Sequence, residues 1–255
     1  MNQNTSWENS EKWYDTLVGK EGHYYHQQIV IPNVLRLLDL SKVPSPSLLD
    51  LACGQGVLAR ALPPKVAYHG IDLSPSLIKL AMQLTKRSAC SFSIGDICKD
   101  LVLEDKKFTH ASIILALQNI EAPNEALIQA ARHILENGTL VIVLNHPSFR
   151  IPRQTHWGVD EKQKLQYRRV DRYMTSLKIP IQTHPGAGSA SEQTWSFHHP
   201  LSAFSKWLQE AGLYIQLLEE WTSDKMSTGK NAKMENRARE EFPLFLAIKA
   251  RKLPQ

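Results

Sequence analysis

The run Asp50-Leu-Ala-Cys-Gly54-Gln-Gly56, entered through Leu48 and Leu49, has the residue types and spacing of a loop that cradles an adenosine-bearing cofactor. Asp72 follows about one βαβ half-unit later, at the end of Tyr68-His-Gly-Ile-Asp72. Glycines at 54 and 56 let the main chain turn sharply out of a strand and approach a ligand where a Cβ would clash, and Asp72 is placed to accept from ribose hydroxyls. This spacing binds an adenosine without naming the cofactor.

Two cofactors compete for the loop. Gly54-Gln-Gly56-Val-Leu-Ala59 satisfies the G-x-G-x-x-A pattern that receives the pyrophosphate of NAD or FAD at a helix N-terminus. Asp50 separates the two, because a carboxylate just before the glycines faces a diphosphate unfavourably and suits the ammonium of an S-adenosylmethionine amino-acid tail. Downstream, Ser93-Ile-Gly-Asp96 closes a third strand, and Arg132-His-Ile-Leu-Glu-Asn-Gly138 leads from a helix into the apolar run Thr139 to Leu144 of a fifth.

On these residues the chain resembles, over most of its length, the class I S-adenosylmethionine-dependent methyltransferases of the ubiquinone/menaquinone type, or type 11, small-molecule group. Their first motif matches Leu48-Leu-Asp-Leu-Ala-Cys-Gly-Gln-Gly56, with Ala52 where many members carry glycine. Their acid after strand two matches Asp72, followed by Leu73, and their adenine-contacting acid matches Asp96, which places Ile97 beside the adenine. Their segment after strand four matches Leu115-Ala-Leu-Gln-Asn-Ile120, where many relatives have histidines instead of Gln118 and Asn119. The resemblance implies S-adenosyl-L-methionine as cofactor, held by Asp50, Ala52, Gly54, Gly56, Asp72, Leu73, Asp96, Ile97 and Leu115. It implies a Rossmann-like α/β fold: a seven-stranded sheet of order 3-2-1-4-5-7-6, strand seven antiparallel, with helices on both faces. It implies an enzyme that methylates an O, C or N nucleophile of a small molecule. An RNA or protein methyltransferase and a non-catalytic S-adenosylmethionine-binding partner or regulatory subunit stand as alternatives. The Asn/Asp-Pro-Pro-Tyr/Phe signature usual after strand four in methylators of exocyclic or amide nitrogens is replaced here by Leu115 to Ile120.

Two further stretches carry chemistry. Trp13-Tyr14-Asp15 and Gly22-His-Tyr24-Tyr25-His26 either dock a terminal helix or face the cofactor. In the second case aromatic faces gain cation–π attraction to a sulfonium, and Tyr14, Tyr24 and His26 are the residues to meet it or the methionine carboxylate. After strand five, Asn145-His-Pro-Ser-Phe-Arg150-Ile-Pro-Arg153-Gln-Thr-His156-Trp157 mixes titratable and aromatic groups where a substrate enters. His146, and after it His156, is the candidate general base for a hydroxyl or carbon acceptor. Gln154 to Tyr173, rich in arginine, reads as an amphipathic lid helix. His198 and His199 are adjacent, face opposite ways in a strand and lack a partner at helical spacing, so no metal site is expected.

The elements that must position these groups follow from apolar runs and their breakers. Strands are expected near 48–52, 66–71, 91–94, 110–117, 139–145, 213–221 and 243–250, with helices between the early ones. Ser74-Pro75 opens one helix, Leu201 to Glu210 forms another that ends at Gly212, and an amphipathic helix over Ile29 to Leu40 is interrupted early by Pro32. With 255 residues and 42% apolar content, the chain suits one α/β domain with an elaboration. That domain spans 1–255: an N-terminal arm and helix (1–44), a cofactor-binding core (45–146), a substrate lid insertion (147–200), then a last helix and C-terminal β-hairpin (201–255). The Gly/Ala/Ser stretch His184 to Ser191 reads as a mobile loop. Cysteines at 53, 90 and 98 are an odd number without C-x-x-C spacing, which speaks for reduced thiols. The opening residues lack an apolar leader core, and no stretch is apolar enough to span a bilayer, so a cytoplasmic protein without membrane insertion is expected. Net charge +5 is spread along the chain and interrupted by acids from Glu235 to Glu241, which argues against a nucleic-acid partner. The expected partner is a small-molecule methyl acceptor; the sequence is silent on oligomeric state.

Overall fold

The computed structural model describes residues 22–103, 107–182 and 193–254. Five strands, β1 (Ser47–Leu51), β2 (Ala67–Asp72), β3 (Cys90–Ile94), β4 (Phe108–Ile114) and β5 (Ile134–Asn145), run parallel. Four more follow outside this sheet, β6 (Thr155–Asp160), β7 (Leu165–Val170), β8 (Leu177–Gln182) and β9 (Gln193–His198), and β10 (Leu213–Trp221) and β11 (Phe245–Lys252) come last. The main sheet has the order β10-β11-β5-β4-β1-β2-β3, with β11 antiparallel to both neighbours. In terms of its seven strands this is 3-2-1-4-5-7-6.

Burial on two faces explains the unbroken apolar runs of the central strands. Leu49, Leu51, Leu140, Ile142 and Leu144 pack into one core cluster, against Ala126, Leu127 and Ala130 of one helix and Phe204 and Leu208 of another. Leu48, Val141 and Val143 point the other way, into a cluster with Val34, Leu37 and Leu38 and with Leu58 and Ala59. The helices of these two layers are α1 (Ile31–Leu38), α2 (Val57–Ala61), α3 (Pro75–Leu84), α4 (Pro123–His133) and α5 (Leu201–Glu210); α6 (Ala232–Glu241) precedes the last strand. Ser74 caps α3, its hydroxyl accepting from the Leu77 amide at 3.2 Å with Pro75 in the first turn. Helix α5 ends where Gly212 takes φ +74°.

Two sequence expectations change. Pro32 does not interrupt a helix: it lies in the first turn of α1, and the wider turn His26–Val30 precedes it, closed by the Ile31 amide on the His26 carbonyl. The lid helix over Gln154 to Tyr173 is instead the antiparallel hairpin β6–β7, with Trp157 opposite Arg168 and Gly158 opposite Tyr167. Asp160 closes its turn by accepting from the amides of Lys162 (3.0 Å) and Gln163 (2.9 Å), and Lys164 takes φ +52°. A Cβ on residue 158 would lie 2.3 Å from the Tyr167 ring, so Gly158 lets that aromatic lie flat across the hairpin. A second hairpin, β8–β9, completes the insertion; the stretch 184–191 lies outside the described residues. No helix among the described residues is long and apolar enough to cross a membrane.

Candidate active site

A cleft of about 660 Å³ opens over the carboxyl ends of the parallel strands, where α/β sheets place their ligands. This volume falls within the roughly 300–1,000 Å³ of small-ligand sites. At one end its wall is made by Ala52, Gly54, Asp72, Leu73, Asp96, Ile97 and Leu115.

Each strand end is shaped for close approach. Ala52 takes φ +59° and Leu115 φ +53°, so β1 and β4, which are neighbours, both finish on a left-handed residue that turns the chain away from the sheet. Ala52 thus occupies the conformation for which glycine is the easier residue. Gly54 (φ +55°) and Gly56 (φ +75°) continue the turn, and a Cβ at 56 would press on the Phe92 ring at 3.2 Å. Asp72 ties the loop down: its carboxylate accepts from the Gly54 amide at 2.8 Å and the Ser74 amide at 2.9 Å. Asp96 accepts from the Cys98 amide at 3.0 Å and pairs with Lys99 at 3.5 Å, so it caps its turn while also lining the cleft. Carboxylates ending β2 and following β3, with Leu73, Ile97 and Leu115 as apolar plates, fit the hydroxyls, amine and faces of an adenosine.

Asp50 is placed differently from the expectation. It is 2% exposed, beneath the loop, and its oxygens accept from the hydroxyls of Tyr68 (2.8 Å) and Ser112 (2.7 Å). Burial pushes its pKa up to about 6, against the pull of those two hydroxyls, with the Asp72 carboxylate adding to the rise. It braces β1 against β2 and β4 and offers no carboxylate surface to a ligand's ammonium. Its brace depends on Gly70, which sequence reading passed over: a Cβ there would lie 2.8 Å from both Cys53 Sγ and the Tyr68 hydroxyl. A glycine opposite Asp50 in β2 was the available signal.

On the arm side, His23, Tyr25 and His26 line the cleft. Gly22 fits between His26 and Val57, the first residue of α2, where a Cβ would approach 2.8 and 3.0 Å, so His26 stands beside the glycine loop. Its Nδ1 is buried without a hydrogen-bond partner among the described residues, and burial drives its pKa down to about 4. The ring is neutral at pH 7. Tyr24 does not line the cleft, its hydroxyl donating to Asp224 at 2.9 Å; of the two tyrosines it is Tyr25 that lines it, and Lys225 lies over both rings. Tyr14 lies outside the described residues.

Neither candidate base lines the main cleft, and His146 lines instead a small side pocket of about 30 Å³ that shares Gln118, Asn145, Arg150, Pro152 and Ser196 with it. His146 is buried, with Nδ1 accepting from the Ser148 amide at 3.1 Å, which leaves the proton on Nε2 for Glu220 at 2.6 Å. Burial lowers its pKa despite Glu220, so the neutral ring serves as a strut between β5 and β10. His156 lies exposed on β6, its Nε2 at 3.3 Å from the Arg153 carbonyl. Period-two alternation separates the two neighbours: Asn145 ends β5 facing the cleft and His146 follows it inward. The groups present at this second end of the cleft are Gln118, Asn145, Arg150 and Ser196, with Pro152, Ile181 and Phe245 as apolar wall.

Residues 49–142 match the family described as Methyltransferase domain. A demethylmenaquinone methyltransferase of Chlamydia pneumoniae is 32% identical over 113 residues, 43% of this chain and 47% of that protein. An uncharacterized 37.1 kDa protein in a Streptomyces fradiae transposon is 32% identical over 132 residues, 47% of this chain and 38% of that protein. The matched stretch thus spans less than half the length of either curated relative. Among solved structures, an S-adenosylmethionine-dependent methyltransferase from Mesorhizobium loti aligns with TM-score 0.67 and 22% identity over 87% of this chain and 96% of its own. A glycopeptide N-methyltransferase complexed with S-adenosyl-L-methionine aligns with TM-score 0.56 and 16% identity over 87% of this chain and 93% of its own.

Proposed function

We propose that this chain, which carries a class I S-adenosylmethionine-dependent methyltransferase domain and takes S-adenosylmethionine as its cofactor, delivers the methyl group to an O, C or N nucleophile of a small molecule. The observation that carries this reading is the continuity of one cleft from the glycine loop to the residues after β5. Bound there, the cofactor supplies an electrophilic methyl group on a sulfonium.

What the chain contributes is placement and dryness. Asp72 and Asp96 hold the adenosine end, and the left-handed turn at Ala52 and Gly54 lets the backbone approach the rest. Neutral His26 offers a ring N–H without bringing a second charge next to a sulfonium, and the Tyr25 ring adds a π face. At the acceptor end Ile181 and Ser196 of the β8–β9 hairpin, with Phe245 of β11, wall the nucleophile from bulk water. The cleft's histidines, His23 and His26, stand on the arm side, so the reading favours an acceptor whose nucleophile is an amine or is already deprotonated, over one needing a histidine base.

Incubating the full chain with methyl-labelled S-adenosylmethionine and a fractionated metabolite extract tests this. Label should pass to low-molecular-weight fractions in proportion to enzyme added. Transfer confined to RNA or protein would refute the small-molecule reading, and absence of any transfer would refute the catalytic one.

A further inference from the structure

We propose that the acceptor carries an anionic group, a carboxylate, which the Arg150 guanidinium holds at the far end of the cleft; this rests on the small-molecule methyltransferase reading above. Arg150 is the single lysine or arginine lining that cleft among the described residues. Its guanidinium has no salt bridge or side-chain hydrogen bond to a described residue, while every lining carboxylate is engaged elsewhere. Asp72 holds the Gly54 and Ser74 amides, Asp96 pairs with Lys99, and Glu121 pairs with Lys178 at 2.9 Å. Among the described residues, this cleft cation has no anion assigned to it.

The surroundings keep this cation both charged and fixed. Protein packed around it pulls its pKa below the usual guanidinium value, with the Tyr25 hydroxyl opposing, yet a guanidinium remains protonated at any physiological pH. Arg150 is exposed to the open cleft, so a carboxylate reaches its guanidinium without displacing a described side chain and can accept two parallel N–H bonds from it. The turn that carries it is pinned. The Arg150 amide donates to the His146 carbonyl at 2.8 Å, the Ser148 amide to His146 Nδ1 at 3.1 Å, and Arg168 Nε to the Phe149 carbonyl at 2.9 Å. Arg168 is otherwise spent on Thr155 and the Trp157 ring, but its charge adds to the positive potential around Arg150. His146 and the β6–β7 hairpin thereby acquire a role: they hold the main chain on either side of the arginine. Close to it, Asn145 and Ser196 supply neutral polar groups, and Pro152, Ile181 and Phe245 an apolar wall. That combination fits a compact apolar body bearing one carboxylate.

The cofactor's own carboxylate is the rival occupant, and the test separates the two. Benzoate and the neutral isostere benzamide are titrated against the full chain saturated with S-adenosylhomocysteine, as wild type, as Arg150→Met and as Arg150→Lys. Benzoate should bind wild type at least tenfold more tightly than benzamide, the difference should shrink below twofold in Arg150→Met and be partly kept in Arg150→Lys, and S-adenosylhomocysteine affinity should stay within twofold throughout. Equal binding of benzoate and benzamide to wild type overturns the proposal. So does a tenfold loss of S-adenosylhomocysteine affinity in a folded Arg150→Met protein, which would assign the arginine to the cofactor. If S-adenosylhomocysteine itself fails to bind wild type, the cofactor reading falls instead, and the same benzoate comparison on the ligand-free chain still decides the fate of Arg150.

Discussion

Replacing Asp50 by asparagine should change how the protein's stability depends on pH without removing its cofactor site. The carboxylate is buried and accepts from Tyr68 and Ser112, and burial displaces its pKa from 3.8 to about 6. Because the folded-state value lies above the unfolded one, the stability Asp50 contributes is fully present below pH 3.8 and is lost as pH rises through about 6. A displacement of this size corresponds to about 3 kcal/mol at full ionisation. Urea unfolding of wild type and Asp50→Asn from pH 4 to 8 reads the difference directly. The histidines held down to about 4 by burial, His26 and His110, lose stability in the opposite direction as pH falls, but they are common to both proteins and cancel. The stability of wild type minus that of the variant should fall by about 2 kcal/mol between pH 4 and pH 7.5, the remainder of the displacement lying below pH 4. A difference that is flat or rises with pH would refute the burial argument. A folded variant with cofactor affinity reduced more than tenfold would return Asp50 to the ammonium role expected from its place in the loop.

Asp72→Ala should weaken S-adenosylhomocysteine binding by about 1 to 3 kcal/mol, since both the ribose and the Gly54 and Ser74 amides lose a charged acceptor; unchanged affinity by calorimetry on folded protein would remove Asp72 from the site. Gly70→Ala should cost about 1 to 3 kcal/mol in denaturant unfolding, because its methyl group meets Cys53 and Tyr68 at 2.8 Å and the neighbours are themselves packed. A neutral result there would show that the brace under the loop is slack. His146→Ala should lower stability by about 1 to 2 kcal/mol, discounted because Glu220 is more than half exposed, and should leave the shape of the pH–rate profile unchanged. Loss of an acidic limb from that profile would make the histidine a base after all.

The central strands were legible because they are buried on both faces and so appear as apolar runs closed by Asp or Asn, as in Leu48 to Asp50 and Val141 to Asn145. The resemblance supplied the strand order, which runs alone do not contain. The insertion was misread for the converse reason: along β6 and β7 every residue is exposed or half-exposed, so neither strand has a buried face to impose a strong period of two. At the site, the positions of turns were readable and the directions of side chains were not. Asn145 and His146, or Tyr24 and Tyr25, are neighbours in sequence, and only the packing of β5 and of the turn before α1 decides which of each pair meets the cleft. Arg150 escaped notice because an arginine in a loop is ordinarily solvated; its standing comes from lining the cleft while the carboxylates of that cleft are already engaged.

Equilibrium binding of S-adenosylhomocysteine and of NAD to the wild-type chain decides between the two cofactors that the glycine spacing alone admits. S-adenosylhomocysteine should bind saturably and one-to-one, with affinity that Asp72→Ala weakens, and NAD should not compete. NAD binding with S-adenosylhomocysteine excluded would contradict the S-adenosylmethionine assignment.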